Sequence, residues 1–113
     1  MSQTEFHYVN LVQHPYKPGF ERFTYTFKKK SNGTEKELAF NIRISDTLIG
    51  QWDLEELQDL KKAMYLYILR KYLKTEQTQD IELNAYQTSS PNQFPYKTEM
   101  DEVTFPPTTA IVL

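Results

Sequence analysis

The sequence predicts an α+β fold: an antiparallel sheet of three to four strands with one long helix across one face, in the order βββαβ, followed by an extended, proline-containing C-terminal tail. Three observations carry this expectation. Asn32-Gly33 lies between two alternating apolar runs, no glycine or proline interrupts residues 53–75, and Pro91, Pro95, Pro106 and Pro107 break up the chain beyond Ser89. Residues 1–88 are accordingly expected to form one α+β domain, and residues 89–113 a tail that packs on the domain or meets a partner. A chain of 113 residues is long enough to enclose a modest core without metal or disulfide support.

The first strand is expected over residues 6–13, FHYVNLVQ, which are rich in β-branched and aromatic types. The loop HPYKPG, with two prolines and a glycine, ends it and reverses the chain before Phe20. The hairpin of residues 20–45 is the sharpest expectation. Both central positions of a type I′ turn need positive φ, which Asn-Gly supplies. With Ser31 and Thr34 flanking the turn, paired residue numbers must sum to 65. Phe27 then faces Leu38, Tyr25 faces Phe40, and Phe23 faces Ile42, so turn chemistry and apolar pattern agree.

The other hairpin face pairs Lys28 with Glu37 and Lys30 with Glu35, and sets Arg22 opposite Arg43. Like charges across a ladder cost up to about 1 kcal/mol unless something anionic intervenes. A neighbouring carboxylate such as Glu21, Asp46 or Glu82 would do. Alternatively the two guanidinium groups, helped by Thr24 and Asn41, would hold a small anion or phosphate.

The helix is expected from about 53 to 75, with Asp53 as N-cap, Glu56 completing a capping box and Trp52 packing on Leu57. At about 100° per residue, Leu57, Leu60, Met64, Tyr67 and Ile68 form a stripe facing the sheet. Leu66, Leu69 and Leu73 form a second row, with Tyr65 and Tyr72 on its flank, and one sheet cannot cover both. The second row is expected to meet the C-terminal tail, a second copy of the chain, or another protein. A fourth strand is expected over residues 80–88, with Ile81, Leu83 and Ala85 on one side and Glu82, Asn84 and Tyr86 on the other.

Several function classes find no support. There are no cysteines, so disulfide scaffolds, thiol nucleophiles and cysteine-ligated zinc are excluded. Gly19, Gly33 and Gly50 are not spaced as a phosphate loop, and no nucleophile elbow or HExxH is present. His7 and His14 would face opposite sides of an unbulged strand, so they cannot share a metal there. Carboxylates Asp53, Glu55, Glu56 and Asp59 suit a helix start. Net charge is −2, and the lysines at the hairpin tip are diluted by Glu35 and Glu37. Nucleic acid is not favoured as a partner, because the aromatics that would stack on bases lie on the core face.

The N-terminus, MSQTEFHYVN, lacks the pattern of a secretory signal, and no apolar run approaches the roughly 20 residues needed to span a bilayer. A cytoplasmic setting without membrane is expected. The functional expectation is a non-catalytic interaction module without cofactor, binding a protein partner or self-associating through Leu66, Leu69, Leu73, Tyr65 and Tyr72. The alternatives are binding of a small anion or phosphate at Arg22, Arg43, Thr24 and Asn41, or weak nucleic-acid binding by the lysine-rich hairpin. Small size and abundant Lys, Asn, Gln, Tyr and Thr match an accessory protein of a bacterium or its phage.

Overall fold

The computed structural model describes residues 3–84 and 94–113 and shows an α+β fold built on a five-stranded, mixed sheet. Strands β1 (Glu5–His14), β2 (Phe20–Ser31) and β3 (Thr34–Ser45) form an antiparallel meander. Helices α1 (Asp46–Gln51) and α2 (Leu57–Tyr67) follow, and then β4 (Gln79–Leu83). The C-terminal stretch adds a short helix α3 (Lys97–Met100) and the two-residue strand β5 (Ile111–Val112). The strand order is β4-β3-β2-β1-β5.

The hairpin has the expected register. Asn32 and Gly33 have φ of 55° and 75°, and every β2–β3 pair from Phe20↔Ser45 to Ser31↔Thr34 keeps the sum of 65. Phe23, Tyr25, Phe27, Leu38, Phe40 and Ile42 are all fully buried. Glu35 lies within ion-pair distance of both Lys28 and Lys30, at 3.4 and 3.6 Å, so the Lys28–Glu37 ladder pair is replaced by a diagonal one.

Three expectations are corrected. First, the sheet is not wholly antiparallel, because β4 runs parallel to β3 from Phe40↔Gln79 to Ile44↔Leu83. A helical connection carries the chain back from the end of β3 to a point beside Phe40, midway along it, which makes a parallel neighbour the natural product. Ile81 and Leu83 are buried as expected, whereas Ala85, Tyr86 and the rest of the strand expected to residue 88 lie outside the described residues.

Second, the helix does not start at Asp53. Ser45 caps an earlier helix, its Oγ accepting from the Leu48 amide at 3.1 Å. Asp53 terminates that helix: it has φ 57°, its amide donates to Gly50 O, and the Leu54 amide donates to Ile49 O at 2.8 Å. That bond pair is a Schellman closure, and Asp tolerates the left-handed position it requires. The chain then re-enters a helix behind Glu56, which makes no side-chain capping bond. Leu57, expected on the core stripe, is 46% exposed, while Leu54 is fully buried.

Third, the helix does not stay α-helical to residue 75. Residues Ile68–Tyr72 form a π turn, with the Leu73 amide bonded to Ile68 O, and Leu73–Thr75 a 3₁₀ turn. A π turn takes up one extra residue and rotates everything beyond it. Leu73 therefore swings from the second row into the core, one wide turn after Ile68, and both are fully buried.

The described tail packs on the rest of the chain. The Phe105 ring lies 5.1, 6.0 and 5.2 Å from those of Tyr8, Tyr25 and Tyr65, and Phe94 packs on Trp52 and Tyr67. The Tyr25 hydroxyl donates to Lys61 O at 2.8 Å, tying α2 to the sheet beneath Phe105. Glu99 anchors α3, accepting from Arg70 Nη2 and from the Tyr96 amide, both at 2.6 Å.

Truncating Leu73→Ala is expected to cost about 2–5 kcal/mol by opening a cavity in the core, whereas Leu57→Ala should stay within about 0.5 kcal/mol. Denaturant unfolding of the two variants reads this difference. A second expectation concerns acid. The Arg70 guanidinium and then the Tyr96 amide hold the Glu99 carboxyl below its ordinary value. Its contribution is thus fully present above the ordinary glutamate range and is lost as pH falls through the lowered value. Glu99→Gln should weaken the chain near neutral pH and flatten part of the acid dependence in unfolding titrations.

Candidate functional site

The outer face of the sheet carries the polar residues singled out from the hairpin. Arg22 faces Arg43 and Thr24 faces Asn41, as the register requires. A hydrogen-bonded chain crosses four strands: His14 Nε2 lies 3.0 Å from Thr24 Oγ1, the Thr24 hydroxyl donates to Asn41 Oδ1 at 2.7 Å, and Asn41 Nδ2 donates to Asp80 at 3.0 Å. Arg22, Asn41 and Arg43 line a hollow of about 260 Å³ together with Tyr16 and Asp80.

Carboxylates stand near the arginines there. Glu82 is the ladder neighbour of Arg43, and Asp80 that of Asn41. The Arg43 guanidinium is held above its ordinary value first by its hydrogen bond to Tyr16, with Glu82 and Asp80 adding to the effect. Of the three carboxylates considered from the sequence, Glu82 stands beside Arg43 without forming an ion pair; Glu21 and Asp46 line a different hollow. Two carboxylates beside two guanidinium groups leave little net field for an anion.

His7 and His14 share this outer face after all, because the β1–β2 register shifts between Tyr8 and Asn10. A bulge changes the alternation of every residue beyond it. They remain apart, His7 beside Glu5 at 3.2 Å and His14 on Thr24. Among the described residues no three His, Asp or Glu side chains converge as metal ligands, and no helix is long and apolar enough to cross a membrane.

The helix surface expected to meet a partner is mostly taken up internally. Tyr65 and Leu73 are buried, and Leu66, Leu69 and Tyr72 are half-buried against the core. Tyr65 stacks on Phe27 and meets Phe105, while Tyr72 meets Tyr67 edge-on at 5.7 Å. The tail thus reaches Tyr65, and the π turn removes Leu73 from the row. These two residues are not offered to another molecule.

A different surface stands open. Strand β5 pairs only with Glu5 and Phe6, so among the described residues the remainder of β1 has no strand on its outer side. Val9 and Val12 on that edge are each 43% exposed. Three hollows meet at Gln13: one of about 530 Å³ over the β1–β2 loop, lined by His14, Tyr16, Lys17, Glu21 and Asp46 among others, and two between β1 and α2. One, of about 200 Å³, is lined by Tyr8, Leu11, Phe105 and Pro106, with Gln58 and Lys61 at its side. The other, of about 280 Å³, has an apolar floor of Ile49, Leu54, Leu57 and Leu60 and is bordered by Glu21, Asp46 and Glu55.

Little in the sequence pointed to this groove. It depends on α1, which the stretch DTLIGQ did not announce, and on the Schellman closure at Asp53 that sets Leu54 beside Ile49. One legible signal was β1 itself, which contains no lysine, arginine or proline, the residues that usually blunt an exposed edge.

A scan of protein-family models returns no matching family. Searches of curated proteins and of solved structures return no significant match.

Calorimetry with inorganic phosphate checks the charge matching on the outer face. The wild-type chain is expected to give no heat, and a variant carrying Asp80→Asn and Glu82→Gln to gain binding that Arg43→Ala then removes.

Proposed function

We propose that this chain is a non-catalytic protein-interaction module that takes up an extended protein segment as an added strand along the free edge of β1. One observation carries the reading. Among the described residues seven large hydrophobics are exposed; Val9 and Val12 lie on β1, Val112 on β5 at its end and Leu113 just after it, and Leu57 borders the groove beside them. Exposed apolar side chains scattered singly need no explanation, but their gathering along one edge of the sheet does.

Strand addition suits the backbone as well as the side chains. An unpaired edge presents a row of N–H and C=O groups, so an incoming strand gains main-chain hydrogen bonds while its alternate side chains find pockets. The chain's own β5 already uses the edge in this way over two residues, with the Leu113 amide donating to Thr4 O at 3.1 Å. The bulge after Tyr8 interrupts the edge, which leaves Asn10–His14 as the regular stretch for a partner.

This reading moves the interaction from the second helix row to the sheet edge and keeps its protein character. The two hollows between β1 and α2 fall below the roughly 300–1,000 Å³ of small-molecule sites and suit single side chains of a bound segment, while the third, of about 530 Å³, is the most open of the three.

The test is selection of short random peptides against the full chain, followed by NMR of the labelled protein with the best binder. Amide shifts and slowed hydrogen exchange are expected at Asn10–His14. If sedimentation shows a dimer protecting the same amides, the segment is β1 of a second copy and edge addition stands. Shifts confined to the outer sheet face or to Leu66, Leu69 and Tyr72, or no binder at all, would overturn the proposal.

A further inference from the structure

We infer that the segment taken up at β1 carries an apolar residue and, two positions away, a lysine or arginine, the apolar side chain entering the hollow beside Leu11 and the basic one the hollow beside Gln13. This inference rests on strand addition at the β1 edge and specifies what that edge selects.

The spacing follows from strand geometry. Leu11 and Gln13 lie opposite Tyr25 and Phe23, so both belong to the inward face of β1, two residues apart. A strand laid along β1 projects alternate side chains to that same face about 7 Å apart. One of these enters beside Leu11 and the next beside Gln13.

The chemistry of each position follows from its lining. The hollow beside Leu11 offers Tyr8, Phe105 and Pro106, and its charged neighbour is Lys61. A cation there meets a like charge, whereas an apolar side chain buries against aromatic surface. The hollow beside Gln13 reverses this. Its apolar floor accepts an aliphatic stem and its border carries Glu21, Asp46 and Glu55; no lysine or arginine lines it, and Lys17, which lines the adjoining hollow shared by Glu21 and Asp46, rests with its Nζ over the Phe20 ring at 4.8 Å and pairs with neither. Glu21 accepts from Gln13 Nε2 at 3.2 Å, and among the described residues none of the three carboxylates is in an ion pair. Lysine and arginine combine an apolar stem with a charged head, the pairing that such a hollow complements. Opposite charges on the two hollows also fix which end of the motif goes where, since the reversed placement sets the basic residue against Lys61.

Gly50 provides a clean probe. It lines the basic-residue hollow, lacks a positive φ, and a Cβ built on it meets nothing within 4 Å. Gly50→Leu therefore adds an apolar side chain to the lining of the hollow without a backbone clash and exchanges a poor helix former for a good one. It should fold at least as well as the wild-type chain, which thermal unfolding checks.

The experiment selects random octapeptides displayed against the full-length chain and maps the winners by amide shifts. Enrichment of Arg or Lys two positions from an apolar residue is expected, and replacing the enriched Arg by citrulline should weaken binding by about tenfold, as loss of a charged hydrogen bond does. Gly50→Leu should erase the basic preference while the footprint on Asn10–His14 persists, and Glu21→Lys with Glu55→Lys should turn the preference acidic. Peptides that footprint Asn10–His14 without basic enrichment, or whose basic preference survives Gly50→Leu, would overturn this inference and leave strand addition intact. No footprint on β1 would overturn both.

Discussion

The register of the β2–β3 hairpin is the constraint on which the rest of the structure depends. Two consecutive residues with positive φ, Asn32 and Gly33, close the turn, and the twelve-residue ladder behind it admits one pairing. Side chains alternate with a period of two, so a slip by one residue would send the buried aromatics to water and the lysines to the core. In the observed register Phe23, Tyr25 and Phe27 stand beside Ile42, Phe40 and Leu38. Those six define the floor on which α2, Tyr65 and Phe105 settle. The outer face follows from the same choice, since the register that buries Phe23 also sets Arg22 against Arg43 and Thr24 against Asn41.

This part of the fold was legible because its signals are local. Asn-Gly dictates its own turn, and alternation over twelve residues is hard to mistake. The helical region was less legible because its signals are ambiguous between start and stop. Asp53 with Glu56 reads as a capping box, yet Asp is also among the few residues that accept a left-handed conformation, and there it closes α1. What decides between the two is burial: Leu48, Ile49 and Leu54 all reach the core only if the chain turns at Asp53. The π turn at Ile68–Tyr72 has the same character. A count at a fixed angle per residue carries no warning of an inserted residue, and Leu73 is assigned to the wrong row by one position. The parallel pairing of β4 was hidden for a third reason, since strand direction is a property of the connection and not of the strand's own residues.

The C-terminal segment is part of the core more than an appendage to it. Phe94 and Met100 are buried, Phe105 closes over Tyr8, Tyr25 and Tyr65, and β5 joins the sheet. Proline shapes this path. Pro106 and Pro107 have no amide to donate, so the chain cannot pair continuously with β1 as it leaves Phe105. Beyond the ring contact of Phe105 with Tyr8, it pairs with β1 as a strand only through Ile111 and Val112 and leaves the remainder of that edge without a strand. One composition feature thus accounts both for the packing of the tail and for the gap beside it.

The two candidate surfaces differ in what association would gain. On the outer face the polar groups already satisfy one another, from His14 through Thr24 and Asn41 to Asp80, and the arginines have Glu82 and Asp80 beside them. A partner there must break or desolvate those contacts, and the net return on a polar exchange is small. On the β1 edge the balance is reversed. Val9, Val12 and Leu57 each leave over two-fifths of their surface in water, and covering apolar area is favourable at about 25 cal/mol per Å². The edge amides and carbonyls find equivalent partners in an added strand. Glu21, Asp46 and Glu55 then supply discrimination, since an unpaired carboxylate at the border of a closed groove is costly unless the incoming side chain brings a positive charge. The affinity of such a site would come from the strand and the valines, and its specificity from the carboxylates around Leu57.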